Sequence, residues 1–130
     1  MGYTRYWKRT DKEITEEFVA EVNEILEECK AHGIIIRDGY GESEPEVSTE
    51  RIWLNGNADT DLDHETFYLG NEASDFEFCK TARKPYDFAV REILNVAETY
   101  GLVTNVRCDG ANNEIISDEE YLNGWYYLSK

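Results

Sequence analysis

Residues 15–33 carry the pattern that most restricts how this chain folds, because they combine a helical apolar stripe with a start and a stop signal. The stripe consists of Phe18, Val22, Ile25 and Cys29, which are spaced three or four residues apart. Thr15 suits the N-cap position, and Gly33 suits the position that follows the last turn. The opposite side is acidic and holds Glu17, Glu21, Glu24, Glu27 and Glu28. We therefore expect an amphipathic helix that packs its apolar side on a core and exposes its acids to water.

A second helix and several short strands are predicted along the rest of the chain. The second helix spans residues 85–100, with Pro85 at its first position and Gly101 as its stop. Extended segments are expected at residues 2–9, 34–37, 51–54, 65–69, 76–79, 102–108 and 115–116. Ser117 and Glu120 form a capping box for a short C-terminal helix. This order predicts a single α+β domain over residues 1–130, with a mainly antiparallel sheet and two main helices packed on one face.

The charge of the chain limits the partners that it can bind. The 130 residues include 28 acids and 13 lysines and arginines, which gives a formal net charge of −15. Such a surface repels nucleic acids and anionic membranes, so we expect no direct binding to either of them. No apolar stretch approaches the roughly 20 residues that span a bilayer. A soluble protein of the cytoplasm is therefore expected.

Patterns that would indicate a metal or a cofactor are incomplete. Residues 59–63 alternate acids as a calcium loop does, but His64 and Gly70 stand where that loop needs a glycine and a bidentate glutamate. The three cysteines are widely spaced and fit neither a disulfide framework nor a zinc site, so we expect them to be buried and reduced. No Gly-rich loop of the phosphate-binding or dinucleotide-binding type is present. We therefore predict no metal and no cofactor.

Residues 78–86 (FCKTARKPY) concentrate positive charge in this acidic chain. Lys80, Arg83 and Lys84 lie within five residues, and no acid occurs between Glu77 and Asp87. The predicted helix begins directly after these cations, where its dipole and its free backbone N–H groups already attract anions. Cations at this end destabilise a helix unless something negative binds there. The run therefore predicts an anion-binding site.

Aromatic residues and a histidine complete the predicted site. The predicted ligand-binding residues are Tyr3, Arg5, Trp7, His64, Lys80, Arg83, Lys84 and Tyr86. Aromatic rings next to cations are typical of sites that hold a nucleobase and its phosphate, and a histidine can add a hydrogen bond. An alternative stays open, in which the aromatic rings fill the core and the cations pair with acids such as Glu77 and Asp87.

Three segments of the chain resemble a group of uncharacterised small proteins from bacteriophages and bacteria. The segments are GYTRYW at residues 2–7, HETF at residues 64–67 and FCKTARKPYD at residues 78–87. The resemblance covers most of the chain up to Tyr100, and members of the group often carry His where this chain has Arg5. The group has no established activity to transfer. Its phage members imply a role in disarming host defences.

Three functions are compatible with these residues. The leading hypothesis is a non-enzymatic protein that binds a small anionic ligand of nucleotide type, such as an immune signal that a phage protein would sequester in the host cytoplasm. The second is an acidic mimic of nucleic acid that inhibits a basic host or defence protein. The third is a small enzyme that acts on a phosphorylated substrate through His64. The aromatic cluster at residues 125–127 is a candidate surface for a homo-oligomer.

Overall fold

Two α-helices and six antiparallel strands make up the fold in a computed structural model that describes residues 3–109. The strands are β1 (Thr4–Arg9), β2 (Glu46–Val47), β3 (Ile52–Leu54), β4 (Phe67–Leu69), β5 (Ser74–Lys80) and β6 (Val103–Cys108). The helices are α1 (Glu16–Ala31) and α2 (Asp87–Thr99), and a short 3-10 turn covers Ala58–Thr60. The predicted α+β fold is confirmed. The predicted extended segment at residues 115–116 and the predicted C-terminal helix lie outside the described residues.

The strands form two antiparallel sheets of three strands each. The first sheet has the order β5-β1-β6, and the second has the order β2-β3-β4. The sequence predicts one mainly antiparallel sheet, so the antiparallel pairing is as expected but the division into two sheets is not. The predicted strand at residues 34–37 makes a single bridge, between Arg37 and Asn55. Its other residues join neither sheet.

Helix α1 follows its sequence signals closely. The Thr15 hydroxyl accepts a hydrogen bond from the backbone N–H of Phe18 at 3.2 Å, so it caps the helix as predicted. Gly33 has a φ of +78°, a left-handed conformation that glycine adopts without the steric cost of a Cβ atom. The predicted apolar stripe is the buried side of this helix. Neither α1 nor α2, the two helices of residues 3–109, has the length and apolar character needed to cross a membrane.

Helix α2 begins two residues later than the sequence predicts. Pro85 is not its first residue, because it lies in a turn that precedes Asp87. In this turn the N–H of Asp87 bonds to the carbonyl of Lys84 at 2.9 Å, and the N–H of Phe88 bonds to the carbonyl of Pro85 at 3.2 Å. Both bonds link residues that are three apart, as in a 3-10 turn, whereas α-helical bonds link residues that are four apart. The fixed φ of proline fits such a turn as well as it fits a helix start.

The two helices pack against each other and against the inner side of the sheets. Phe18 of α1 meets Tyr100, which follows α2, edge to face at a centroid distance of 5.8 Å. Trp7 of β1 packs on Phe67 of β4 at 5.5 Å, so the first sheet and the second share one apolar core. Edge-to-face and tilted pairs of this kind stabilise a core beyond the area that they bury.

The cysteines are free thiols, as predicted, although only two of them are fully buried. Cys29 and Cys79 are inaccessible, whereas Cys108 is half-buried near the end of β6. Burial raises the pKa of Cys29 to about 12, because the low-dielectric core disfavours the thiolate. Both buried thiols therefore act as small apolar side chains and not as nucleophiles.

The turn that carries the basic run has an unusual backbone. Ala82 and Arg83 have φ values of +54° and +58°, and the N–H of Lys84 bonds to the carbonyl of Thr81 at 3.0 Å. Two consecutive left-handed residues are typical of a type I′ turn, which normally uses glycine or asparagine. The N–H groups of Thr81 and Ala82 both bond to the carbonyl of Tyr3, at 3.0 and 3.1 Å. Contacts with Tyr3, directly before β1, therefore hold a turn that its own residues disfavour.

Replacing Ala82 with glycine should stabilise the protein. Glycine adopts a φ of +54° without the Cβ clash that an L-residue has there, so we expect a gain of about 1 kcal/mol in the free energy of unfolding. Ala20→Gly, on the exposed side of α1, is the matched control and should cost about 1 kcal/mol. Urea unfolding of both variants measures the two changes. A loss of stability in Ala82→Gly would show that this turn is not left-handed.

Candidate anion-binding site

The three cations of the basic run contact three different groups. Lys80 ends β5, and its ammonium lies 5.9 Å from the ring of Phe78. The guanidinium of Arg83 stacks on the ring of Tyr3 at 4.5 Å. The ammonium of Lys84 donates a hydrogen bond to the carbonyl of Asp61 at 2.9 Å. The described contacts therefore do not gather the three side chains around one anion.

An internal carboxylate lies where the sequence predicts an external anion. Asp87 is the first residue of α2, and its carboxylate is fully buried at the positive end of the helix dipole. Arg5 of β1 bonds to it through Nε at 2.8 Å and through Nη2 at 2.9 Å, in a bidentate ion pair. The hydroxyl of Thr81 donates to the same carboxylate at 2.6 Å. Asp87 and not a ligand thus neutralises Arg5 and the first turn of α2.

The charges of this pair are removed from solvent, and this affects the acidity of Arg5. Burial is the largest single influence and lowers the pKa of the Arg5 guanidinium, but the charge and hydrogen bonds of Asp87, together with smaller contributions from Tyr3 and Cys108, raise this pKa above its ordinary value. Arg5 therefore stays charged at every accessible pH. Arg5 is one of the predicted ligand-binding residues, but in the structure its charge is paired with Asp87.

Three predicted aromatic contacts are buried and pack in the core. Trp7 and Tyr86 are 1% and 0% exposed, and Tyr3 is 4% exposed. The Tyr86 hydroxyl donates to the carbonyl of Glu65 at 2.6 Å, and burial raises the pKa of this phenol. Tyr3 lies between two cations, with Arg5 at 5.4 Å and Arg83 at 4.5 Å from its ring. Direct stacking of a ligand on Trp7 or Tyr86 would require the core to open.

His64 is exposed, and its main chain is fixed by Asn55. Its N–H donates to the Asn55 side-chain oxygen at 3.0 Å, and its carbonyl accepts from the Asn55 amide nitrogen at 3.0 Å. Its imidazole makes no hydrogen bond within residues 3–109. In the same part of the chain, no group of three or more His, Cys, Asp or Glu side chains is placed to hold a metal ion.

The outer face of the first sheet brings together aromatic and basic residues that sequence reasoning missed. We call it the outer sheet face, and it consists of Tyr6, Lys8, Phe76, Phe78, Lys80 and Arg107. The ring of Phe76 lies 5.9 Å from Tyr6 and 5.7 Å from Phe78, so the three rings form a continuous row. Phe76 is 53% exposed and Phe78 is 44% exposed. Large apolar side chains that are exposed side by side commonly mark a binding surface.

Cations lie at both ends of the aromatic row. The guanidinium of Arg107 lies 5.2 Å from the Tyr6 ring, and the ammonium of Lys80 lies 5.9 Å from the Phe78 ring. Two acids contact residues beside the row. Asp109 accepts hydrogen bonds from the Tyr6 hydroxyl at 2.7 Å and from the Thr4 N–H at 3.0 Å, and the Glu65 carboxylate accepts one from the backbone N–H of Lys80 at 3.0 Å. The hydrogen bond to Asp109 raises the pKa of the Tyr6 phenol. The row therefore offers flat apolar surfaces between two positive charges.

The alternation of β1 could have revealed this face. In a strand, successive side chains point to opposite sides, so Arg5 and Trp7 share one side while Tyr6 and Lys8 share the other. Pairing of Tyr6 with Phe78 and with Arg107 then places these residues on the same side. The sequence shows the alternation, but the pairing partners follow only from the topology.

Comparison with known proteins identifies no relative. No family model, no curated protein and no solved structure matches this chain. Functional conclusions therefore rest on the geometry of the described residues.

Removing the buried carboxylate should be costly, and removing both charges should cost less. We expect Asp87→Leu to lose about 3–5 kcal/mol of unfolding free energy, because it leaves the Arg5 charge buried without its partner. The double change Arg5→Met with Asp87→Leu should recover part of that loss. Glu46→Gln, which weakens the exposed pair with Arg51, is the control and should change stability by at most about 1 kcal/mol.

Urea unfolding of the four proteins, including the wild type, measures these differences. A double variant that is less stable than Asp87→Leu would show that the pair is not buried as described. Equal losses of unfolding free energy in Asp87→Leu and Glu46→Gln would also show that the Arg5–Asp87 pair is not buried as described.

Proposed function

We propose that this protein is a non-enzymatic binding protein for a small anionic ligand of nucleotide type, and that the ligand binds on the outer sheet face. The observation that carries the proposal is the exposed row of Tyr6, Phe76 and Phe78 with Arg107 and Lys80 at its two ends. A nucleobase stacks on an exposed ring, and its phosphate then reaches a neighbouring cation. Stacking of one base on an aromatic side chain contributes about 1–3 kcal/mol.

The burial of the other aromatic residues supports this location over the one that the sequence predicts. Trp7 and Tyr86 are in the core, whereas Phe76 and Phe78 are accessible without rearrangement. Lys80 is the member of the predicted set that lies on the outer sheet face. The proposal therefore keeps the predicted ligand chemistry and changes most of the residues that would contact it.

The net charge of the protein favours a small ligand over a nucleic-acid polymer. A long polyanion would extend from the outer sheet face over the rest of a chain with a formal charge of −15. A mononucleotide or a small nucleotide signal interacts only with the local cations Lys8, Lys80 and Arg107. The resemblance to phage proteins fits a role in sequestering such a signal, since sequestration needs tight binding and no catalysis.

Binding should be detectable as stabilisation by nucleotides and should depend on the outer sheet face. A nucleotide at 100 times its dissociation constant adds about 2.7 kcal/mol to the free energy of unfolding, which a thermal-shift screen of linear and cyclic nucleotides detects. We expect Phe78→Ala to weaken the best ligand by about tenfold or more, because it removes a stacking surface. Lys80→Ala should weaken it about tenfold through loss of a phosphate contact.

Lys12→Ala serves as the control, because Lys12 is an exposed cation in the turn before α1. It should leave the affinity unchanged. The proposal fails if no nucleotide stabilises the wild-type protein. It also fails if Phe78→Ala and Lys80→Ala bind the best ligand as the wild type does.

The exposed acids of α1 favour a second function, mimicry of nucleic acid toward a basic protein. Glu17, Glu24 and Glu28 make no ion pair within the described part of the chain, so their charges face solvent. For this function we expect binding to a basic partner to weaken steeply with salt and to be lost when the three glutamates become glutamines. Phe78→Ala should leave such binding intact. The two variants thus distinguish the two functions in one inhibition assay.

A further inference from the structure

A cleft lies beside α1, and its lining contains no residue of the outer sheet face. It has a volume of about 560 Å³, which is within the range of small-molecule sites. Its walls are α1, the segment 34–37 and the chain around β2. We call it the helix cleft. Its apolar wall consists of Leu26, Ile34, Ile35, Ile36, Pro45 and Val47.

Arg37 is the polar side chain of the helix cleft with unused hydrogen-bonding capacity. Its backbone is fixed, because its N–H and its carbonyl both bond to Asn55 at 2.9 Å. Its Nε is buried, and this atom has no hydrogen-bond partner. No residue of the described chain forms an ion pair with its guanidinium. The Nη groups of Arg37 make no hydrogen bond within residues 3–109 and, unlike Nε, are not closed off from solvent, so they are the donors that an anion in the cleft can reach.

The charges around the helix cleft select the kind of anion. Lys30 also lines the cleft, and it makes no ion pair within residues 3–109. Glu27 and Glu44 line it too, but neither lies within 4.0 Å of a cationic atom there. These two acids repel a polyphosphate, whereas one compact carboxylate can bind at Arg37 with only a small repulsion. A planar carboxylate also matches the two parallel N–H groups of a guanidinium.

The apolar wall indicates what kind of group is attached to the carboxylate of the ligand. All six of its apolar residues are aliphatic, and no aromatic ring of the described residues lines the helix cleft. The cleft therefore lacks the flat surface that a nucleobase uses, and it suits an alkyl chain instead. A medium-length alkyl chain would also cover part of Ile35, which is 48% exposed.

We propose that the helix cleft binds an aliphatic carboxylate, with its carboxylate on the Arg37 guanidinium and its alkyl chain along the apolar wall. Lys30 provides a second positive charge near the carboxylate. This site is separate from the outer sheet face, and it does not depend on the proposed nucleotide-type ligand. The combination of an unpaired guanidinium and an aliphatic wall carries the proposal.

Octanoate is the probe, and isothermal titration calorimetry is the measurement. We expect saturable binding of octanoate in the millimolar range or tighter, and no saturable binding of acetate or of octylamine. Arg37→Met keeps the length of the side chain and should weaken octanoate at least about tenfold, whereas Arg37→Lys should weaken it less. Arg107→Met removes an exposed guanidinium on the outer sheet face and should leave octanoate binding unchanged.

A measurement on the wild-type protein keeps the test valid even if Arg37→Met folds poorly. The Nε–H resonance of Arg37 in a proton–nitrogen spectrum should shift as octanoate saturates, because the carboxylate binds the Nη groups of the same delocalised guanidinium. The proposal is overturned if octanoate does not bind, if octylamine binds equally well, or if the Arg37 resonance stays in place at saturation. Displacement of octanoate by a nucleotide would overturn the separation of the two sites.

Discussion

The buried ion pair of Arg5 and Asp87 is the interaction on which the rest of the arrangement depends. It joins the central strand of the first sheet to the first residue of α2, across 82 positions of sequence. Two charges that are removed from water must be paired with good geometry, since either one alone would strongly destabilise the fold. The pair therefore fixes the register of β1 against α2. It also places Thr81, and with it the left-handed turn that carries the basic run.

This pair changes the meaning of the basic run. A helix start with cations nearby needs a negative charge, and Asp87 supplies it from within the chain. The cations are then not required to gather around a ligand, and each of them contacts a different group. Lys80 is left on the outer sheet face beside Phe78. Asp87, which begins α2, and Lys80, which ends β5, thus have separate roles, although they are only seven residues apart.

The two proposed sites divide the chemistry of the surface between them. The outer sheet face presents aromatic rings and cations on an open surface, which suits a base and its phosphate. The helix cleft presents aliphatic side chains and one unpaired guanidinium in a concave space, which suits a carboxylate with an alkyl chain. An acidic protein can bind an anion only where its few cations are not already paired with its own acids. Within residues 3–109, Lys80, Arg107 and Arg37 make no ion pair, whereas Arg5 is paired with Asp87.

The sequence by itself determined most of the elements of this protein, because the signals for them are local, although it did not predict β2. Thr15, the apolar stripe of α1 and Gly33 bound a helix through contacts within a few residues, and the alternation of β1 separates Trp7 from Tyr6 in the same way. Only the tertiary structure decided which residues form a site. Whether Tyr3, Trp7 and Tyr86 face a ligand or the core depends on what packs against them, and the partner of Arg5 lies far away in sequence. Periodicity shows that a strand has two sides, but which side becomes the core is decided by the helices and the second sheet that cover it.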